Sequence, residues 1–222
     1  MTADDKMGAA VQPALPFKPR IDEQPPYRPS PQQLAAESGL LRQFEAFGRA
    51  VGGLTSVILT GPAEAGKTRL LEELLLSGRA TEFEVLTVAE VAPLELFAEI
   101  NRCASAGMAL VLEARQPVSR WYQDREDEVP PDLTSRLGAL PVVTVERPGV
   151  EGLLPALVAD LDAHGHRLNE SEAAWVAGEL PRSMAAPRRF CRALDRAGGK
   201  EPRRALLQWA VEQAHLRPES PD

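Results

Sequence analysis

A chain of 222 residues with a net charge of −7, 44% hydrophobic and only 5% aromatic residues is long enough for one α/β unit with a small addition and a sizeable buried core. The acid excess excludes a surface that advertises nucleic-acid binding as a whole. No apolar run approaches the roughly 20 residues a membrane span needs, and the opening "MTADDKMGAA" lacks the charged-then-apolar order of a signal peptide. The expectation is a cytoplasmic protein with no membrane partner.

Residues 1–31 hold seven of the 20 prolines and no apolar periodicity. They read as a flexible tail, unable to bury enough surface to offset its ordering entropy. Its one apolar knot is "QPALPF", in which Leu15, Pro16 and Phe17 suit a pocket on a partner and Gln12 a polar contact. Folding back on its own domain is an equal alternative at this point. From Pro31 the spacing of Leu34, Leu41, Phe44 and Phe47 predicts a helix. "TSVILT" (55–60) is a β-branched run that predicts a strand, and "KTRLLEELLLSG" predicts a helix closed by Gly78.

Between them lies "GPAEAGKTRL" (61–70), which fits G-x-x-x-x-G-K-[ST]. A strand, a Gly-bounded loop and a helix are the context of a phosphate loop. The amides of Gly61, Ala63, Glu64, Ala65 and Gly66, with Pro62 shaping the turn and Arg69 following, would face phosphates; Lys67 would reach the terminal ones and Thr68 would hold Mg²⁺. Glu64 is the oddity, since it brings a Cβ and an anion to a turn that favours a permissive backbone.

Strands follow at 83–88 and 108–114, with a helix at 93–107 between them; a loop past Trp121 carries the acidic "DREDE", and 141–147 is one more strand. Hydrolysis by such a fold needs acids at the end of a neighbouring strand. "VLTVAE" ends in Ala89 and Glu90, "ALVLEA" in Glu113 and Ala114, so each supplies one acid and hydrolysis in cis is expected to be weak. Beyond 148 only helices are expected, at 150–164, 170–180 with Asn169 and Glu172 placed as a capping box, 182–197 and 202–215. This divides the chain into a tail (1–31), a parallel-sheet α/β domain (32–148) and a helical domain (149–222). "HGH" (164–166) has no third ligand nearby in sequence and reads as a helix end at Gly165. Trp175 and Trp209 fall at core spacing, and Cys103 and Cys191 read as buried small hydrophobes. No internal repeat is present.

The blocks "QPALPF", "LVLEARQPVSRW", "PPDLTSRL" and "PRSMAAPRRFCRALDRA" together resemble Hda-type, DnaA-related AAA+ regulators of replication initiation. The resemblance implies an AAA+ P-loop NTPase-like parallel sheet with a C-terminal helical lid. It implies a clamp-binding peptide at Gln12–Phe17, an arginine finger at Arg136, a sensor 1 position at Glu113, a sensor 2 arginine at Arg182 and bound ADP or ATP with Mg²⁺. Its implied partners are DnaA and the DNA polymerase sliding clamp, with DNA reached through the clamp and a homo-oligomer left open. The family has Gly at the position of Glu64 and paired acids at Ala89–Glu90. In the family's sheet order 5-1-4-3-2 the outermost strand is the one missing here, so 83–88 is assigned to the Walker B strand, and Pro187 should kink the lid helix. Two further readings remain: an ordinary AAA+ ATPase using Glu90 or Glu113, and a non-catalytic adaptor.

Overall fold

The computed structural model describes residues 27–49, 55–80, 82–197 and 203–216; the knot Gln12–Phe17 lies outside them. After helix α1 (Pro31–Arg49) come β1 (Ser56–Thr60), α2 (Lys67–Leu76), β2 (Phe83–Thr87), α3 (Pro93–Ala106), β3 (Ala109–Ala114), α4 (Pro131–Ala139) and β4 (Val142–Thr144). The four strands form one parallel sheet in the order β2-β3-β1-β4. Thus 83–87 stands beside 109–114, as expected, and no strand lies outside it among the described residues. Thr60 is in register with Ala114 on one side and Thr144 on the other. That register brings the C-terminal ends of three strands level, at the edge where parallel sheets place ligands.

Alternation along β1 separates two cores. Val57 and Leu59 pack with Leu40 of α1 and with Leu70, Leu71 and Leu74 of α2. Ile58 packs with Leu96 and Ile100 of α3 and Leu133 of α4 on the other face. Buried on both faces, the β-branched run is continuous rather than alternating, as parallel strands require. Leu34, read as part of the helical stripe, is 47% exposed. The loop past Trp121 forms two short 3-10 turns, Val118–Arg120 and Gln123–Glu128, pinned by the Tyr122 hydroxyl donating to the Val91 carbonyl at 3.0 Å.

At the outer strand β2, buried Glu84 pairs with Arg102, which also donates to the buried Glu99 at 2.8 Å. The Cys103 thiol, fully buried beside them, has its pKa pushed up to about 11, first by desolvation and then by the Glu84 charge.

The chain then forms α5 (Val150–Ala163), α6 (Glu170–Glu179), α7 (Ala186–Arg196) and α8 (Arg203–His215). The capping box at α6 is formed: Asn169 Oδ1 accepts from the Glu172 amide at 2.8 Å and Glu172 Oε2 accepts from the Asn169 amide at 2.9 Å. Gly165, at φ 73, follows the end of α5. Phe190 is the largest fully buried side chain of this unit, packed among Leu153, Leu157, Val176 and Leu207.

Three expectations are corrected. The lid helix begins at Ala186 rather than 182, so Pro187 occupies its first turn and causes no kink; its missing N–H is one the helix start leaves unpaired anyway. A proline does lie inside α5, at Pro155. Trp175 and Trp209 are 40% and 37% exposed, because Val176 and Ala210, one residue on in each helix, face the core. Replacement Phe190→Ala is expected to cost about 3–5 kcal/mol of unfolding free energy by denaturant titration, with the fold's largest loss of exchange protection in α7.

Candidate functional site

The segment 61–66 leaves the end of β1 and turns into α2, and two glycines are fixed there by close approach. A Cβ on Gly61 would stand 2.2 Å from the Val145 carbonyl oxygen, and one on Gly66, at φ 90, would stand 2.3 Å from Gln33 Nε2. Gln33, fully buried at the start of α1, donates to the Gly66 carbonyl at 3.3 Å and accepts from the Ser30 amide at 3.0 Å. The first turn of α1 therefore straps the loop from outside.

Glu64 adopts the left-handed conformation, at φ 59, which costs a non-glycine residue about 1 kcal/mol. Its carboxylate accepts from the Ser183 hydroxyl and from Arg189 Nη1 at 2.7 Å, and its carbonyl accepts from the Met184 amide at 2.9 Å. Arg189 Nε in turn donates to the Ala214 carbonyl of α8 at 3.0 Å. The anion expected to oppose phosphate is thus engaged by the helical unit and serves as a latch to it.

Lys67, 5% exposed, donates to the carbonyls of Gly61 at 2.9 Å and Pro62 at 3.1 Å and lies 3.8 Å from Glu113. Burial lowers the Lys67 pKa, with Glu113 opposing and Arg115 adding to the shift; burial raises that of Glu113, with Lys67 and Arg115 opposing. Desolvation outweighs attraction for both, as expected of a pair beyond hydrogen-bond length.

These residues line a cleft of about 690 Å³ between the sheet edge, the α1 strap and helices α5 and α7. Six cations, Arg28, Lys67, Arg69, Arg115, Arg147 and Arg188, face three carboxylates, Glu64, Glu113 and Asp160. Glu64 is held by Arg189, Glu113 lies beside Lys67, and Arg69 is itself paired with Glu73 at 2.8 Å. The balance favours an anionic ligand.

Solved structures share the fold. Domain III of the Thermotoga maritima replication initiation protein DnaA superposes with a TM-score of 0.58 at 15% identity, covering 84% of this chain and 93% of that one. C. elegans PCH-2 gives 0.54 at 12% identity over 82% and 67% of the two chains, and the FIGL-1 AAA domain in complex with ADP gives 0.51 at 14% over 93% and 88%. The chain has an AAA+ fold. No protein-family pattern and no curated protein matches it.

Of the residues singled out from the sequence, Ala63, Glu64, Gly66, Lys67, Thr68, Arg69 and Glu113 line the cleft. Thr68 is exposed in the first turn of α2. A nucleotide fits the glycine-walled, cation-rich loop; for Mg²⁺ the chain offers the Thr68 hydroxyl and the single Glu113, with the remaining coordination left to phosphate and water. Glu90 is exposed in the 3-10 turn after β2 and does not line the cleft, although its charge helps to raise the Glu113 pKa.

Arg182 is a correction. It lies before α7 and donates to the carbonyls of Ala177 and Gly178 at 3.2 and 3.4 Å, satisfying groups that the end of α6 leaves open. Arg188, in the first turn of α7, takes the place in the cleft expected of Arg182. Arg115 and Arg147 were also missed. Each follows a strand flanking β1, and that position was the signal available. The histidines of "HGH" find a partner that the local sequence does not show: Asp195 accepts from His164 Nδ1 and His166 Nε2 at 2.7 Å each, fastening the end of α5 to the end of α7.

Replacing Glu64 by Ala should release the latch while leaving the loop's left-handed turn strained. Hydrogen exchange at the Met184 amide is expected to accelerate about tenfold or more, and a double-mutant cycle with Arg189→Ala to return a coupling of about 0.5–1 kcal/mol.

Proposed function

We propose that this chain is a nucleotide-binding, Hda-like regulator of replication initiation that hydrolyses ATP poorly itself and promotes hydrolysis of DnaA-bound ATP in trans. Gln12, Leu15, Pro16 and Phe17 dock on the sliding clamp, which brings the protein to DNA. Phosphates lie on the Gly61–Thr68 loop, with Lys67 leaving the loop carbonyls to meet them and Arg188 closing from the lid. Bound Mg²⁺ would neutralise phosphate charge beside Thr68. The lone acid Glu113, next to Lys67, positions water poorly without a second carboxylate.

The observation that carries the reading is Arg136. It stands in the last turn of α4, half-buried, its guanidinium 5.4 Å from the centre of the Phe97 ring. It does not line the chain's own cleft. A planar cation pre-oriented on an aromatic face and kept out of its own cleft is suited to stabilise charge on a phosphoryl group across an interface.

Two measurements check this. Calorimetry of the ligand-stripped protein should show micromolar or tighter ADP binding, reduced about tenfold or more by Lys67→Ala. Mixed with ATP-loaded DnaA and clamp on DNA, the protein should accelerate hydrolysis, and Arg136→Ala should remove about 10³-fold or more of that acceleration. Hydrolysis at the unstimulated rate with the wild-type protein would overturn the proposal.

A further inference from the structure

The α5 wall of the cleft carries a group that phosphate binding does not use. Ala156, Ala159 and Asp160 lie at i, i+3 and i+4 on one face of α5 and line the cleft with Arg188 of α7. Asp160 is 5% exposed, and its Oδ1 has no hydrogen-bond partner among the described residues. Buried polar atoms are almost always paired with protein, water or ligand, so the orphaned carboxyl oxygen of a residue that lines the cleft asks for a donor, which a ligand supplies once the carboxyl turns toward it. The two alanines beside it leave a small-residue, apolar strip against which a planar ring can lie.

A nucleotide base supplies both a ring and donors. The exocyclic N6 amine of adenine satisfies Oδ1 in either charge state of Asp160, whereas an O6 at the same place requires the proton to sit on Oδ1. Burial pushes the Asp160 carboxyl up against the pull of Arg188, His164 and Arg192. In its neutral form the acid pairs with both N6–H and N1 of adenine.

We infer that Asp160 is the base-reading residue of the cleft, accepting a hydrogen bond from the six-position amine of an adenine nucleotide packed on Ala156 and Ala159. The inference rests on the nucleotide-binding part of the proposed function, in which the nucleotide is ADP or ATP, and adds the residue that selects its base. Asp160 is in this view a specificity residue, with no part in phosphate chemistry.

The test compares ADP with purine riboside 5′-diphosphate, which lacks the six-position amine and keeps the ring, ribose and phosphates. Calorimetry on the wild-type chain should show the amine-free analogue bound about tenfold or more weakly, since a site built for a hydrogen bond rejects the ligand that cannot make it. Asp160→Asn should retain that preference, because an amide oxygen accepts from N6–H and an amide N–H donates to N1. Asp160→Ala should reduce it below about twofold. Equal binding of the two diphosphates by the wild type, with both weakened by Lys67→Ala, would overturn the role of Asp160 and leave the nucleotide reading standing. An Asn variant that loses the preference as Ala does would also overturn it, since Asp160 would then act through its charge. Binding of neither diphosphate would overturn this inference together with nucleotide binding.

Discussion

The bond pair at Glu64 sets the relation between the two parts of this molecule. Its carbonyl is fixed by the Met184 amide and its carboxylate by Ser183 and Arg189, so one residue of the phosphate loop is tied to the helical unit by main chain and side chain together. The ion pair is partly exposed, with Glu64 at 37%, and alone contributes little. Its worth lies in geometry. Because Arg189 also holds the α8 carbonyl of Ala214, a shift of the loop is passed to α7 and α8 as a unit, and Arg188, next in sequence, moves with them. A loop with glycine at position 64 would lack the carboxylate half of this connection and avoid the backbone strain.

Around that latch, the level ends of β1, β3 and β4 decide which residues meet. Gly61, Arg115 and the segment to Arg147 emerge side by side, and the α1 strap closes the cleft through Gln33. The result is rich in cations and poor in acids, an arrangement for holding an anion more than for activating water beside it. The same sheet positions α4 on its other face, where Arg136 rests on Phe97 of α3.

The α/β part was legible because its signals are local: β-branched runs, a glycine-bounded loop and a helix end marked by Gly78; the start of α6 at Asn169 was legible for the same reason. The sheet order with its outermost strand missing was implied by the resemblance, through the family's strand order, once the strands between the loop and Glu113 were counted. What was not legible depends on partners distant in sequence. The residues that engage Glu64 lie 119 and 125 positions away, so the sequence shows a repulsive charge and hides its compensation. Pro181–Arg182 and Pro187–Arg188 are the same dipeptide, and only burial of Phe190, Cys191 and Ala193 decides which begins the helix and faces the cleft. The two histidines find Asp195 about 30 residues on, through the packing of α5 with α7. The tryptophans show the limit of periodicity, since one position along a helix is a turn of about 100°, enough to carry a large ring from core to surface.

The ion cluster beneath β2 bears on what that border of the sheet can pair with. Among the described residues β2 has no strand beyond it; such a border offers a row of hydrogen-bonding groups to any similar strand, and proteins commonly guard it with inward-pointing charge. Glu84, bound to Arg102 inside that border, makes strand exchange there expensive, because a foreign strand would have to accommodate a buried carboxylate whose counter-charge belongs to α3. An apolar replacement of the cluster would preserve the packing and remove the guard, leaving a chain that folds well and aggregates readily.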